Sequence, residues 1–499
     1  MNEHDQNFSF LPFLALLALC LFLSFFVPSD RGTLKDPLYA AVLVTLLIPA
    51  AAWWIAKRKG ASAQKTGMKL IPFVIGAGAF VKVAYILYTR IYERQHDVVD
   101  FNVGEGQAAY IEYFLQNKHL PDFDPRSVWG FFQPPLHHII ASVWMRVNYK
   151  LGLAERQVQE NVQALTLFYI VALVILTWYV CRELKLSDTA AAIAVSIVSF
   201  HPVFILLSGS INNDALSLFL MMIALYLALL WAKREKMWLI ILLALAIGLA
   251  MFAKLSGGMI APAVGVLFLY KLIKEKEKRG RLLLQYVIFA IICVPVGLFW
   301  TVRNKILFDM PVNYIPEVGQ QFEQTSFFDR FLDFRMESVF PAMKEYGYSF
   351  YEHNVFLAML KTSLFGEYDF GMKWSGFTAL GILLFAVALL LALLASFATI
   401  RVILRKDSFL KPEWKWFFGT LIVTLLVSYF SFALSASNFS AQDFRYAALL
   451  IVPQALMLGI FTDTDPLVTD HPVAASIIKG ATGFFAACSF ITYLLVGFF

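Results

Sequence analysis

Charged residues are scarce in this 499-residue sequence, at 15% of the total, whereas apolar side chains make up 59%. Because a soluble globular protein is charged at about a quarter of its positions, this composition excludes an ordinary soluble fold. The four cysteines lie within apolar runs or at their ends and form no CxxC pair, so no disulfide framework or thiolate metal site is indicated. The segment GEGQ has only a Gly-x-Gly pair with no preceding strand, which argues against a dinucleotide site.

Long apolar runs dominate instead, and the mean hydropathy is +0.67. A helix needs about 17 to 25 residues to cross about 30 Å of hydrocarbon. Thirteen runs of roughly this length cover 10–27, 38–56, 70–89, 163–181, 189–208, 213–232, 237–253, 257–272, 283–302, 376–400, 415–434, 444–461 and 473–497. We therefore predict an all-α polytopic membrane protein with about thirteen transmembrane helices. The first run has an acidic leader and is too long for a signal-peptide core, so we expect it to be retained.

Basic residues are concentrated in alternate loops. Of the 41 lysines and arginines, 21 lie in 57–69, 182–188, 233–236, 271–281 and 401–415. These loops share one side if thirteen helices alternate, and the positive-inside rule makes that side cytoplasmic. The N-terminus is then cytoplasmic, and 91–162, 303–375 and the C-terminus face outward. Only 462–472, with three aspartates and no lysine or arginine, breaks the pattern.

The two large outward loops have the composition of folded structure. In 91–162, PLHHIIASVWMRVNYKLGL and AAYIEYFLQ predict helices lying in the membrane interface. The apolar face predicted for the first consists of Ile139, Ile140, Val143, Trp144 and Val147. The 73 residues of 303–375 are rich in Phe and Tyr with few glycines, so we interpret them as a folded cap rather than a linker.

Acidic residues gather at the outer end of the third run, where His96, Asp97, Asp100 and Glu105 occur within ten residues. Asp97 is either a solvated loop acid or a general base placed where a lipid headgroup can meet a water-borne acceptor. Asp100 and Glu105 are alternatives for the base, although loop acids or helix N-terminal charges explain them more simply.

Three cations occupy outward ends of spans, at Lys254 in AKLSGG, Arg303 in WTVRNKILFDMP and Arg445 in QDFRYAALLIVP. Each either snorkels to the headgroups or binds a lipid phosphate, for which a guanidinium has matching bidentate geometry. In SGSINNDALS, Asn213 and Asp214 are explained at least as well by helix capping as by function.

The order of these motifs resembles that of the GT-C membrane glycosyltransferases, the group that includes protein O-mannosyltransferases and the lipid A aminoarabinose transferase. AAYIEYFLQNKHLP, FFQPPLHHII, NNDAL, AKLSG, VRNKILFDMP and FRYAALLIVP are similar to the family's successive segments, over about residues 70–460. Counted from the third run, seven spans precede the 73-residue loop, as in the family's shared module. This sequence departs from the family's pattern in two ways. It has Gln107 where many relatives have a histidine, and it has two extra spans before the module.

The resemblance implies inverting transfer of a sugar from a polyprenyl-phosphate donor to a glycan, lipid or protein acceptor on the outer face, in a bacterial plasma membrane. Asp97 is then the catalytic base, and Arg303, Arg445 and Lys254 bind the donor phosphate. Possible supporting residues are His96, Asp100, Glu105, Gln107, Tyr110, Gln133, Asn213, Asp214 and Tyr446. The expected divisions are 1–69 with two extra helices, 70–302 as the catalytic module, 303–375 as the outer loop and 376–499 as C-terminal helices.

Other functions fit parts of the sequence. A transporter or flippase of lipid-linked sugars would also need many helices and a phosphate site, but not long folded outer loops. A polymerase or ligase of surface polysaccharide keeps the same chemistry with another acceptor, and an inert scaffold leaves the outward cations unexplained. The sequence requires no cofactor and predicts no metal site, although a divalent ion at the first-loop acids stays open. We expect membrane lipids as neighbours and no nucleic-acid partner.

Overall fold

The computed structural model describes residues 8–27, 36, 39, 42, 66–312, 314–316, 326–334, 353–367, 375–435 and 439–498. Across these residues the secondary structure is helical and contains no strand. Apart from residues 39 and 42, the predicted span 38–56 lies outside the described residues, as do 57–65 and much of 303–375. The expected division into four parts is therefore still a prediction.

Nineteen α-helices are described. The first ten are α1 (Leu11–Ser24), α2 (Thr66–Tyr88), α3 (Gly106–Asn117), α4 (Leu136–Lys150), α5 (Glu155–Glu160), α6 (Val162–Glu183), α7 (Asp188–Phe200), α8 (Pro202–Gly209), α9 (Asp214–Arg234) and α10 (Met237–Ala253). The others are α11 (Ala261–Lys274), α12 (Arg279–Phe308), α13 (Phe327–Phe331), α14 (Val355–Phe365), α15 (Ser375–Leu404), α16 (Pro412–Ser435), α17 (Ile451–Thr464), α18 (Pro466–Thr469) and α19 (Pro472–Leu495). Short 3₁₀ turns at Leu255–Ile260 and Phe444–Leu450 precede α11 and α17.

Nine helical stretches among the described residues are long and apolar enough to cross a bilayer, and the bent pair α7–α8 would make a tenth. The all-helical membrane fold is thus confirmed, whereas the count of thirteen is not. α1 and α10, two of the predicted spans, have only 14 and 17 residues. The run 189–208 is bent by 47° between α7 and α8, at His201–Pro202. Proline cannot donate a backbone hydrogen bond and restricts the residue before it, which accounts for the break.

The centre of the bundle is formed by α6, α9 and the Phe444–Thr464 stretch, whose apolar windows are each 89% buried. The corresponding window of α12 is only 22% buried, so this helix lies at the periphery. α9 packs against α6 and α10, α10 packs against α12, and the turn before α11 contacts both α9 and α10. This arrangement brings the start of α9 and the end of α10 together.

Three of the basic loops meet at one end of the bundle. Lys233 pairs with Glu183 across 2.9 Å, and Lys271 and Lys278 pair with Glu235 across 2.9 and 3.0 Å. The aspartate-rich segment 462–472, which broke the charge pattern, also lies beside a basic loop. Asp465 accepts ion pairs from Arg401 at 3.3 Å and Arg405 at 3.4 Å. The acidic segment therefore neutralises cations that the prediction placed on its own side of the membrane.

The predicted helices in 91–162 are present as α3 and α4, but the buried face of α4 differs from the prediction. Trp144 is buried, whereas Val143 is 49% and Val147 is 39% exposed. The face that packs inward also contains polar side chains, at His137, His138, Ser142 and Asn148. His137 and His138 are buried here because the Ile211 carbonyl and Gln107, on other elements, contact them, which an apolar pattern does not reveal.

Candidate active site

A cavity of about 690 Å³ opens among the ends of several helices. Its lining includes eight of the residues predicted from the sequence: Asp97, Gln107, Gln133, Asn213, Asp214, Lys254, Arg445 and Tyr446. These residues come from the first outer loop, α3, the segment before α4, the start of α9, the end of α10 and the turn before α17. The fold thus assembles one site from residues up to 349 positions apart in the sequence.

The loop that carries Asp97 is held in an unusual backbone conformation. Asp97 has a φ of 55°, in the left-handed region that costs a non-glycine residue free energy. The amide of Gln107 donates to the Asp97 carbonyl at 2.8 Å, and the amide of Ala108 donates to the Val98 carbonyl at 3.1 Å. Gly106 is required here, because a Cβ atom would lie 2.5 Å from the Val98 oxygen. The loop is therefore fixed to the first turn of α3 while the Asp97 side chain stays 46% exposed.

The two cations of the cavity surround a buried carboxylate. Lys254 Nζ pairs with Asp214 Oδ1, and Arg445 Nε lies 3.9 Å from Asp214 Oδ2. Arg445 also lies 3.9 Å from Asp97 Oδ2 and donates to the Tyr446 hydroxyl at 2.8 Å. Both cations lie over the Tyr446 ring, at 4.9 and 4.8 Å from its centroid. Asp214 is thus a counter-ion as well as the first residue of α9, and Lys254 is not the isolated snorkelling cation that the sequence allowed.

Arg303, the third cation predicted to bind donor phosphate, does not line this cavity. Its guanidinium donates to the Pro121 carbonyl and, at 2.8 Å, to Asn304 Oδ1. It also lies 5.2 Å from the ring of Trp300, whose indole does line the cavity. In this structure Arg303 joins α12 to the first outer loop instead of facing the two other cations.

Three other predicted residues also lie outside the cavity lining. Asp100 accepts a 2.8 Å ion pair from Arg156, while Glu105 is exposed at the N-cap position of α3 without a side-chain cap. Tyr110 is buried between Phe131 and His138, with ring centroids 4.3 Å away on both sides. The contacts of Asp100 and Tyr110 explain these two residues structurally.

His96 lies in a separate cluster of ionisable groups. Its Nδ1 is 3.4 Å from Glu367 Oε2 and its Nε2 is 3.3 Å from Asp443 Oδ2, so the ring lies between two acids. Burial opposes ionisation of Glu367, but the hydrogen bond from His96 and the charges of Arg445 and Lys361 lower the pKa of this carboxyl. For Asp443, burial raises the pKa above its ordinary value. The Asp443 carboxylate also accepts from the backbone amide of Arg445 at 2.8 Å, which couples the cluster to the cavity.

The same three residues form a group within the described part of the chain that could hold a metal ion, with ligand atoms within 4.8 Å of one another. The two ring nitrogens face different carboxylates, however, and one ion would bind only one nitrogen of the ring. Each ring nitrogen thus lies within 3.4 Å of its own carboxylate, so the ring links the two acids.

Reasoning from the sequence missed Glu367, Asp443 and His138. Asp443 has a local signal, since an acid two residues before Arg445 is typical of a helix cap. Glu367 lies in FGEYDF, where nothing distinguishes it from an ordinary loop acid. His138 is fully buried and its Nε2 lies 2.5 Å from Gln107 Oε1, a contact between positions 31 apart that no periodicity indicates.

Comparisons with known proteins agree with the motif pattern. Residues 155–310 match the family model described as dolichyl-phosphate-mannose-protein mannosyltransferase. No curated protein sequence matches the chain. Among solved structures, ArnT from Cupriavidus metallidurans bound to undecaprenyl phosphate is similar, with a TM-score of 0.49 and 15% identity, over 87% of this chain and 77% of that one.

AglB from Archaeoglobus fulgidus, in complex with an inhibitory peptide and a dolichol-phosphate, is also similar, with a TM-score of 0.49 and 15% identity. That alignment covers 86% of this chain and 55% of AglB. The match to the family model over residues 155–310 confirms that this membrane protein resembles the GT-C glycosyltransferases.

Proposed function

We propose that this protein transfers a sugar from a polyprenyl-phosphate donor to an acceptor on the outer face of the membrane, with inversion at the anomeric carbon. The observation that carries the proposal is the cavity in which a partly exposed carboxylate, Asp97, lies 3.9 Å from Arg445 and shares the lining with Lys254. A base and a phosphate site are the two groups that such a reaction needs. The family match over 155–310 supports the same class of donor.

The phosphate end of the reaction is assigned to Arg445 and Lys254. Arg445 is 5% exposed and Lys254 14%, so charge on a bound phosphate is only weakly screened by water. Asp214 holds both cations in place before the donor arrives, which reduces the reorganisation needed when negative charge develops on the leaving phosphate. One such donor contributes about 3 kcal/mol or more to transition-state stabilisation in enzymes that have been tested.

The acceptor end is assigned to Asp97. An acceptor hydroxyl gives its proton to the Asp97 carboxylate while its oxygen forms a bond to the anomeric carbon. The bond from that carbon to the phosphate oxygen breaks, and its electron pair leaves with the polyprenyl phosphate. Because attack and departure take place on opposite sides of the carbon, the configuration inverts.

A lipid-linked donor follows from the predicted orientation. Nucleotide sugars are made in the cytoplasm and do not cross hydrocarbon, so an outward site depends on a sugar that has already been moved across with its lipid. The acceptor is a glycan, lipid or protein with a nucleophilic hydroxyl.

The test offers the purified protein a radiolabelled polyprenyl-phosphate hexose together with a cell-envelope lipid extract, and separates the products by chromatography. We expect label in a new acceptor product and an equal amount of free polyprenyl phosphate. If the protein, reconstituted in vesicles, moved the intact donor across the bilayer and formed no covalent product, the transporter alternative would replace this proposal.

A further inference from the structure

With the proposed donor phosphate bound, the two cations of the cavity are offset by two anions, the phosphate and Asp214. Among the described lining residues, the acids are Asp97 and Asp214 and the bases are Lys254 and Arg445. Asp214 is held by both cations, and the proposed donor phosphate takes up their remaining positive charge. Asp97 is then the single carboxylate whose side chain is substantially exposed to the cavity, at 46%.

This balance disfavours a charged sugar. The ammonium of an amino sugar would pair with Asp97 and occupy the base that the reaction needs. The carboxylate of a uronic acid would compete with the donor phosphate for Arg445 and Lys254, and burying a charge without a partner costs several kcal/mol. A neutral sugar avoids both penalties.

Two glutamines in the lining have the chemistry that neutral hydroxyl groups require. Gln107 is 3% exposed, and its Oε1 lies 2.5 Å from His138 Nε2. Burial lowers the pKa of His138 well below its ordinary value, and the contact of its Nε2 occupies the oxygen end of the Gln107 carboxamide. The carboxamide NH₂ of Gln107 is then the end left to donate to a ligand.

Gln133 is arranged in a similar way on another segment. Its Oε1 accepts from Asn213 Nδ2 at 3.4 Å, and the same Asn213 nitrogen donates to the Ala253 carbonyl at 2.9 Å. The amide orientation is thereby fixed by a residue at the start of α9. Aromatic rings at Trp129, Phe132 and Trp300 complete this side of the cavity, in the usual pocket pattern of apolar walls with a few oriented polar groups.

We infer that the cavity takes an uncharged sugar whose hydroxyl oxygens accept hydrogen bonds from Gln107 and Gln133, and that these two residues determine specificity for the donor. The inference rests on the proposed function, because the sugar is placed by its phosphate at Arg445 and Lys254. A site built to bind a hydroxyl group discriminates strongly against analogues that cannot satisfy it.

The first experiment compares four donors with the same polyprenyl chain, carrying mannose, glucose, glucuronic acid or unacetylated glucosamine. We expect at least one neutral donor to be transferred with a kcat/KM at least tenfold above both charged donors. Preferential transfer from the glucuronic acid or glucosamine donor would overturn the inference while leaving the proposed function intact. Absence of transfer from all four, with no thermal stabilisation by polyprenyl phosphate alone, would instead contradict the proposed function.

The second experiment tests the glutamines with the neutral donor that works best. Gln107→Glu and Gln133→Glu should each lower kcat/KM about tenfold or more, while stabilisation by sugar-free polyprenyl phosphate changes little. Gln116→Glu is the matched control, since this residue is exposed on the same helix as Gln107, and it should retain activity. Gln133→Ala adds no charge and serves as a second test variant in case the Glu variants do not fold. Unchanged neutral-donor kinetics in correctly folded Gln107 and Gln133 variants would refute their role.

Discussion

Replacing His96 with glutamine tests whether the cluster beside the cavity positions the reacting groups. The imidazole is 9% exposed between Glu367, at 18%, and Asp443, at 2%. Leaving a buried polar group without its partner typically costs about 1–3 kcal/mol. The charge of Arg445 still acts on both acids, so we expect a loss of stability near the lower end, about 1 kcal/mol.

His96→Gln should lower the turnover of the folded protein by more than its loss of stability explains. His96 directly precedes Asp97, and Asp443 caps the turn that carries Arg445. A displacement of about 1 Å in a reacting group can reduce a rate about 100-fold. His96→Gln should therefore lower kcat by one to two orders of magnitude in protein that is still folded, as measured by donor turnover below the melting temperature.

A double-mutant cycle provides the decisive form of this assay. His96→Gln, Asp443→Asn and the double variant are compared by thermal melting and by turnover, with His119→Gln, an exposed histidine of the same loop, as the matched control. Residues in direct contact show coupling energies of about 0.5–3 kcal/mol. If the two substitutions were additive in both measurements, the positioning role assigned to His96 would be refuted.

Three further predictions follow from the site and the topology. Arg445→Ala should raise the KM for the lipid donor by at least tenfold and Arg303→Ala by less, because only Arg445 lines the cavity; donor kinetics of both variants check this, and equal effects would contradict it. Burial lowers the pKa of His137 from 6.5 to about 4, so the unfolded chain binds a proton that the native protein excludes. The free energy of unfolding should therefore fall by up to about 3 kcal/mol as the pH is lowered from 6.5 to 4. Thermal melting at several pH values should show a smaller decrease in His137→Asn than in the unmodified protein. A cysteine at Gln116 should react with an impermeant thiol reagent in intact cells and one at Glu277 should not, whereas equal labelling would overturn the proposed orientation.

Periodicity and hydropathy predicted the helical membrane fold well, because a bilayer imposes length and apolarity on each span. The count of thirteen is not confirmed, because among the described residues nine stretches are long and apolar enough to cross a bilayer, α1 has only 14 residues, and the predicted span 189–208 is bent at His201–Pro202. Charge counting identified the basic loops, and the acidic segment that contradicted them was explained only by the ion pairs of Asp465.

Residues of the candidate site could be predicted from the sequence where a charged side chain occurs at the end of a span. Asp97, Lys254 and Arg445 stood out because charged residues at the ends of spans are costly and need partners. Asp214, the counter-ion that Lys254 and Arg445 share, had a simpler explanation as a helix cap. Arg303 had the same sequence signal as Arg445, although its guanidinium binds Pro121 and Asn304. Which of two similar cations faces a cavity depends on tertiary packing, which one sequence does not contain.

The central claim is that Asp97 accepts the proton of the acceptor hydroxyl. Asp97→Asn keeps the size of the side chain and removes its ability to take a proton, so kcat should fall by about 100-fold or more while the donor still binds. The matched control is Asp122→Asn, an exposed acid of the same outer loop, which should keep full activity. The measurement is the kcat for sugar transfer by these two variants and the unmodified protein, with equal amounts of folded protein saturated with donor. A loss confined to Asp97→Asn is the predicted result, and turnover by Asp97→Asn within a few-fold of the unmodified protein would contradict the account.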